Sequence, residues 1–480
     1  MSNSILFFLI FTFFCFCLLP LVGTAALNTE TSLVEIEVTK KVYDYRTPWF
    51  TRNEQIRKNG ILIGDNQILT TADGLSGQYL CRIKKGGVSR QYLAEVLWID
   101  YYANVAILDV PEEDFWEGMH PVDLAKTVPQ SGELQIYRWR GGRIEERAAE
   151  IVRLYSGKSK SSYVQHLVLS VASTIQSAGW AEVVFDEDQL VGLTASAGTD
   201  TLTILPAQFI AKVVENHRKS EDAGLGYFDF KYIFGKNPAL LASKGLDQRD
   251  VGVVVTEVGG KGLSKEGLQV GDIILEIDGF EIDSEGKYVD PDYGRLSFGC
   301  LATRAHAAGE EILFKIWRDG KAQQVNYKLP GADFDKDLIP ERRYDAPPQY
   351  LIGGGLVFQP LNGPLLEALG KAAPVLLEYY SRQERDDGRE GLVVLSGVLP
   401  DDFNLGYEGM RYLLLDEING RKINNLDDVV AAMDNPDGEF HRIQFMPDER
   451  VLHMVLDAEE MEAATTRIVQ TYRIPSASQL

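Results

Sequence analysis

The sequence is short of cysteine. Of four in 480 residues, Cys15 and Cys17 fall in an apolar N-terminal run, and Cys81 and Cys300 stand more than two hundred positions apart. That spacing excludes a disulfide framework and any metal site built on paired cysteines, so the two body cysteines read as buried free thiols in different domains. No metal site and no cofactor are implied. Positive charge is scarce too: 48 Lys and Arg face 70 Asp and Glu, for a net charge of −22. A chain of that sign repels phosphate backbones, which argues against nucleic acid as a partner. Long helical patterns between the strands are also missing.

At the N-terminus no Lys or Arg precedes "ILFFLIFTFFCFCLLPLV", an uninterrupted apolar run that ends near Pro20 and is followed by the small residues "GTAA". This pattern reads as a signal peptide over residues 1–26, cut after Ala25 or Ala26. The run is also about long enough to span a bilayer, so an uncleaved N-terminal anchor is the alternative. Either way the body leaves the cytoplasm, and the expectation is a secreted, periplasmic or cell-envelope protein.

A length of 480 residues exceeds what one core normally serves. Residues 27–222 carry short period-two strands such as "NGILIGDNQILTTA", "VAILDV" and "AEVVFDEDQLVGLTA", punctuated by turns such as Gly64-Asp65-Asn66. Many short strands without long helices between them predict an antiparallel barrel or sandwich, closed here by a helix in "PAQFIAKVVENHRKS". Residues 223–332 hold "EGLQVGDIILEIDG", a predicted helix in "YGRLSFGCLATRA" and a hairpin turning at Asp319-Gly320. A charged, Pro-containing linker over 333–347 leads to residues 348–480, which show a similar order of signals. The last two modules look like divergent copies of one plan.

These segments, in this order, resemble the HtrA or Deg (Do-like) proteases, and most of all the plant-type branch with two PDZ domains. "EGLQVGDIILEIDG" looks like the family's PDZ segment. "ILTTADGL" occupies the place of its "ILTNAHVV", "YYANVAILDV" that of a "DLALLKV"-type strand, and "IQSAGWAEVVF" that of "INSGNSGGPAF". The resemblance covers nearly all of the body and implies a mainly β fold: a chymotrypsin/trypsin-like double β-barrel followed by two α+β PDZ domains.

The same matching removes the chemistry. The family histidine falls on Asp73, the aspartate on Asn104 and the nucleophilic serine on Trp180. A hydroxyl nucleophile, an imidazole base and an orienting carboxylate are all required, and an indole cannot attack a carbonyl. The glycine-rich loop becomes Ala178-Gly179-Trp180-Ala181-Glu182-Val183, which puts its oxyanion-binding amides in doubt. Trp180 is expected to fill the space where a substrate carbonyl would be attacked, or else to pack at the barrel surface. None of the six histidines falls in a segment matched to the cleft.

For the first PDZ module the matched carboxylate-binding loop is Gly224-Leu225-Gly226-Tyr227-Phe228. Its amides would hold a peptide C-terminus, and Leu225 or Phe228 would line the pocket for the last side chain. In relatives the second PDZ serves assembly, and the aromatic run Tyr43, Tyr45, Trp49, Phe50 lies where the family's trimers are pinned; core packing is the alternative for these rings. The resemblance therefore implies a pseudoprotease: a quality-control scaffold for C-terminal or unfolded peptides, as a trimer-based homo-oligomer or a hetero-oligomer with active relatives. The competing reading is a hydrolase with a rearranged site, in which Asp73 and Glu182 face each other as paired carboxylates.

Overall fold

A computed structural model describes residues 29–86, 88–159, 162–219, 224–259, 267–332, 338–380, 389–447, 451 and 453–480. The expected signal peptide over 1–26 lies outside the described residues. Among these residues no helix is long and apolar enough to cross a membrane.

The first barrel is built from β1 (Leu33–Tyr43), β2 (Thr51–Gly64), β3 (Gln67–Thr70), β4 (Gln78–Lys85), β5 (Tyr92–Asp100) and β6 (Val105–Asp109). They close in the order β1-β2-β3-β6-β5-β4. Period-two alternation sends Val34, Ile36, Val38, Ile68, Ile83 and Leu108 into one core. The β2–β3 turn is the expected one, with Asp65 and Asn66 at φ of 49° and 54°.

The second ring uses β8 (Glu133–Arg140), β9 (Arg143–Lys158), β10 (Gln165–Ser173), β11 (Val183–Asp186), β12 (Gln189–Ala197) and β13 (Leu202–Pro206). Their order β11-β8-β9-β10-β13-β12 closes through pairing of β11 with β12, and a short strand β7 (Asp123–Leu124) adds in parallel to β12. The helix Ala207–Lys219 follows and buries Phe209, Ile210, Val213 and Val214 against the second ring, as its apolar spacing predicts. Two closed six-stranded antiparallel rings in sequence make the trypsin-like double barrel.

The next sheet contains β14 (Phe230–Phe234), β15 (Val253–Val258), β16 (Ile273–Ile277), β17 (Phe280–Glu281), β20 (Glu311–Arg318) and β21 (Lys321–Lys328), in the order β14-β15-β16-β20-β21 with β17 on β16. Asp319 and Gly320 both take positive φ at the β20–β21 turn, which fits the two-residue hairpin expected there. One expectation changes. "YGRLSFGCLATRA" forms a helix only from Phe298, because its first residues complete a hairpin of β18 (Lys287–Asp290) and β19 (Gly294–Ser297) turned at Gly294, whose φ is +73°. This hairpin and the following turn of helix dock on the barrel: Ser297 N donates to Ser156 Oγ at 2.8 Å, and Thr303 Oγ1 to Gln165 O at 2.9 Å.

The last sheet contains β22 (Tyr350–Gly353), β23 (Leu356–Pro360), β24 (Val393–Val398), β25 (Leu413–Ile418), β26 (Arg421–Lys422), β27 (Phe440–Phe445), β28 (His453–Asp457) and β29 (Ser478–Gln479). Its order β28-β27-β25-β24-β23, with β26 on β25, repeats the previous sheet strand for strand. Two strands are added beyond β23, first β22 and then the C-terminal β29. The two modules therefore share one plan, and the edge left open at β14 in the first is covered at β23 in the second.

The aromatic run after β1 turns inward on its own chain. Trp49 meets Tyr350 edge-to-face at 5.8 Å, Tyr45 packs with Leu361, Leu365 and Leu392, and Gln359 Nε2 donates to Tyr45 O at 3.2 Å. Packing is thus the role of Tyr45 and Trp49, while Phe50 stays exposed. Replacing Trp49 with alanine is expected to weaken this attachment by about 2 kcal/mol, measured as faster protease cleavage around residues 338–349 with the barrel still folded.

Candidate functional site

Asp73 and Asn104, 31 residues apart, come together at the mouth between the two rings. The Asp73 amide donates to Asn104 Oδ1 at 2.9 Å, and Asn104 Nδ2 donates back to Asp73 Oδ2 at 3.3 Å. Asn104 is buried at φ +57°, a conformation asparagine tolerates better than most residues. The pair holds a shape, and it contains no imidazole.

Trp180 lies beside this pair. Its Cζ3 comes within 3.1 Å of the point a β-carbon on Gly74 would occupy, and its carbonyl accepts from Asn59 N at 2.9 Å. The ring is 38% exposed, so it rests against the residue after Asp73 at the open mouth rather than inside either core. Glycine is required at position 74 on two counts: φ is +83°, and any side chain would strike Ile56 and the indole.

The loop carrying Trp180 is held by one buried carboxylate. Glu182 Oε2 accepts from the Gly179 amide at 2.8 Å and the Trp180 amide at 3.0 Å, and the Thr194 hydroxyl donates to the same oxygen. Arg138 Nη1 stands 3.7 Å from Glu182 Oε1 and donates to Gln176 O at 2.8 Å. Two non-glycine residues, Ser177 and Ala181, sit at φ of 55° and 59° to make the loop. Of the two carboxylates paired in the competing reading, that of Asp73 accepts from Asn104 and that of Glu182 accepts from its own loop and Thr194.

Sequence reading missed Lys58. It is buried on β2 beneath the Asp73 turn, where its ammonium donates to Thr71 O, to Thr71 Oγ1 at 3.0 Å and to Asp73 O at 2.6 Å. Burial lowers its pKa to about 7, opposed by attraction to Asp73, Cys81 and Glu182. The available signal was a charge immediately before the fully buried stretch from Asn59 to Leu62.

Four of the six histidines are engaged away from this mouth, and His120 and His453 are exposed. His166 is buried and stacks on Phe209, His217 stacks on Trp98, His306 contacts Asp278 and Glu310, and His441 contacts Asn419. Burial lowers the pKa of His166 to about 4, so it is a neutral core residue. Among the described residues no cluster of His, Cys, Asp and Glu could hold a metal.

The expected carboxylate loop lies against its own module and the barrel. Gly224-Leu225-Gly226-Tyr227-Phe228 runs beside the end of its own module: the Tyr227 amide donates to Pro330 O at 3.2 Å, and Leu225 O accepts from Ala332 N at 2.8 Å. Leu225 is buried with Ala332 in the cluster of the second ring, and Phe228 packs among Phe230, Phe298, Phe314 and Tyr327. Leu225 is thus committed to the barrel cluster, and Phe228 is half-buried against the aromatic core of the module. The open feature nearby is β14, which among the described strands pairs only with β15 and exposes Ile233 and Phe234.

The chain is similar to known proteins along most of its length. A PDZ domain family matches residues 339–479. Protease Do-like 4, mitochondrial, of Arabidopsis thaliana is 23% identical over 478 residues, covering 95% of this chain and 88% of that protein. Protease Do-like 2, chloroplastic, of the same plant is 25% identical over 464 residues, covering 93% and 74%. Among solved structures, the HtrA-type protease AlgW with decapeptide covers 63% of this chain and 95% of its own, at 16% identity and a TM-score of 0.46. The names of the plant relatives place them in mitochondria or chloroplasts, organelles rather than a periplasm.

Lys58 offers a direct test of the electrostatics. Unfolded, its ammonium keeps the ordinary value of 10.5; folded, it titrates at about 7. Between those values the unfolded chain binds the extra proton, so stability rises with pH across that window. Relative to Lys58→Met, the wild-type protein should gain about 1.4 kcal/mol per pH unit above pH 7 in urea titrations; parallel pH curves for the two proteins would refute the assignment.

Proposed function

The chain is a homologue of the Do-like (HtrA/Deg) proteases with a C-terminal PDZ domain, and from that premise we propose that it is a pseudoprotease, a peptide-binding scaffold built on a barrel that does not cut. The observation that carries this reading is the mouth itself, where Asp73, Asn104 and Trp180 meet with no hydroxyl nucleophile and no imidazole among them. In this proposal the chain divides into a leader over 1–26, an inactive barrel over 27–222, a first PDZ module over 223–332, a linker over 333–347 and a second PDZ module over 348–480. The leader carries the body out of the cytoplasm.

Peptide capture is assigned to the first PDZ module. An extended peptide gains main-chain hydrogen bonds by adding to an open sheet edge, and β14 is such an edge, with Ile233 and Phe234 exposed along it. The corresponding edge in the second module carries β22 and β29, which leaves that module to packing against the barrel and to assembly. Clients in this reading are unfolded chains or free peptide ends, held in an oligomer of this chain or with active relatives.

Incubation with unfolded casein tests the reading: no cleavage is expected beyond a buffer control. Cleavage that Asp73→Ala or Glu182→Ala abolishes, with substitutions of surface acids as controls, would instead establish a rearranged hydrolase. A stricter expectation concerns the triple variant Trp180→Ser, Asp73→His, Asn104→Asp. It should stay inactive, because the loop amides still face Glu182; rates near those of an active relative would overturn this. For binding, Ile233→Asp should weaken a peptide selected on the full chain by tenfold or more, about 1.4 kcal/mol, read by fluorescence anisotropy.

A further inference from the structure

The loop from Ser177 to Glu182 has the form of an anion site. Two successive amides, of Gly179 and Trp180, converge on one point at 2.8 and 3.0 Å. The Thr194 hydroxyl donates to the same point, and the Arg138 guanidinium, itself buried, stands behind it. Convergent backbone N–H groups beside a buried cation bind carboxylates and other oxyanions. Here the bound anion is part of the chain. Glu182 is 1% exposed; its Oε2 fills the point that the two amides and the hydroxyl face, and its Oε1 lies 3.7 Å from Arg138 Nη1.

We infer that this loop is a carboxylate-binding nest that carries its own ligand, Glu182, and that the tethered carboxylate is what closes the barrel to outside anions. The geometry around Glu182 supports a built site rather than a chance contact. Its own amide donates to Thr194 Oγ1 at 2.9 Å, its carbonyl accepts from Thr194 N at 2.9 Å, and the Ala181 amide donates to Thr194 O at 3.2 Å. Thr194 on β12 thus meets both the main chain and the side chain of Glu182. Gly179, at φ +102°, lies so close to the backbone of Ser196 that a β-carbon there would sit 3.1 Å from its Cα, which keeps the two amides aimed inward. The carboxylate also lies in the field of Lys58, whose charge it helps to hold. Withdrawing one negative charge from this place leaves two amides and a hydroxyl buried without their acceptor, beside a guanidinium that keeps the Gln176 carbonyl and the Glu145 carboxylate, and such donors take up a small anion from solution when one fits.

The inference deepens the non-hydrolytic reading and takes its meaning from it, while its test reads anion binding rather than proteolysis, so that either can fail alone. Glu182→Ala removes the equivalent of one acetate from the nest. In the full chain this variant should melt at a lower temperature than the wild type. Sodium acetate should raise its melting temperature saturably above sodium chloride at equal ionic strength, with no acetate-specific rise in the wild type. The same response in both proteins, or none in the variant, would overturn the proposal. If Glu182→Ala does not fold, Glu182→Gln keeps the shape and an acceptor while removing the charge. Hydrogen exchange at the Gly179 and Trp180 amides should then run at least tenfold faster than in the wild type, and unchanged protection would equally overturn it.

Discussion

A carboxylate taken out of water must be met by donors or a cation, and in this protein the buried carboxylate of Glu182 is met by both. The shape of the barrel mouth depends on that match. Satisfying Glu182 turns the Gly179 and Trp180 amides inward, sets Ser177 and Ala181 in left-handed conformations and presents the Trp180 ring toward Gly74. Arg138 extends the same network, since it bridges Glu182, the carbonyl of Gln176 and the carboxylate of Glu145. The double-barrel scaffold aims these amides at its own side chain.

Beneath the mouth lies the complementary charge. Lys58 is fully enclosed, and its three acceptors all come from the turn that leads to Asp73. The ammonium fixes that turn, the turn fixes the Asp73 amide, and the Asp73 amide meets Asn104. The linker reaches the same loops from outside: Tyr344 stacks on Tyr101 at 3.9 Å, and Asp345 accepts from the Gly77 amide at 2.8 Å. Buried polar groups of this kind contribute geometry more than net stability, because their desolvation cost offsets much of what they gain. The mouth is thus held from beneath by Lys58 and from outside by the linker.

The two C-terminal modules show one topology used in two ways. In the first, the strand after the entry segment stays at the sheet edge; in the second, β22 and the C-terminal β29 lie over the corresponding edge. An uncovered edge is a template for another chain and a covered one is not. Aromatic residues divide in the same way. Phe228, Phe230 and Tyr232 fill the first module's interior, while Trp49 and Tyr45, from the barrel's N-terminal hairpin, anchor the second.

Local pattern determined the strands, the closing helix, the tight turns at Asp65-Asn66 and Asp319-Gly320, and the order of the three regions. Each of these rests on periodicity or on backbone preferences within a few residues. Asp73, Asn104 and Trp180, singled out from the matched motifs, do come together in the fold. What escaped were relations between distant residues: Glu182 turned onto its own loop, Lys58 beneath Asp73, Leu225 drawn into the barrel cluster, and β22 laid over β23. None of these is a property of a segment. Each was decided when the folded chain had to find a donor, an acceptor or an apolar partner for a group that folding had already buried, and only tertiary structure brings those partners within reach.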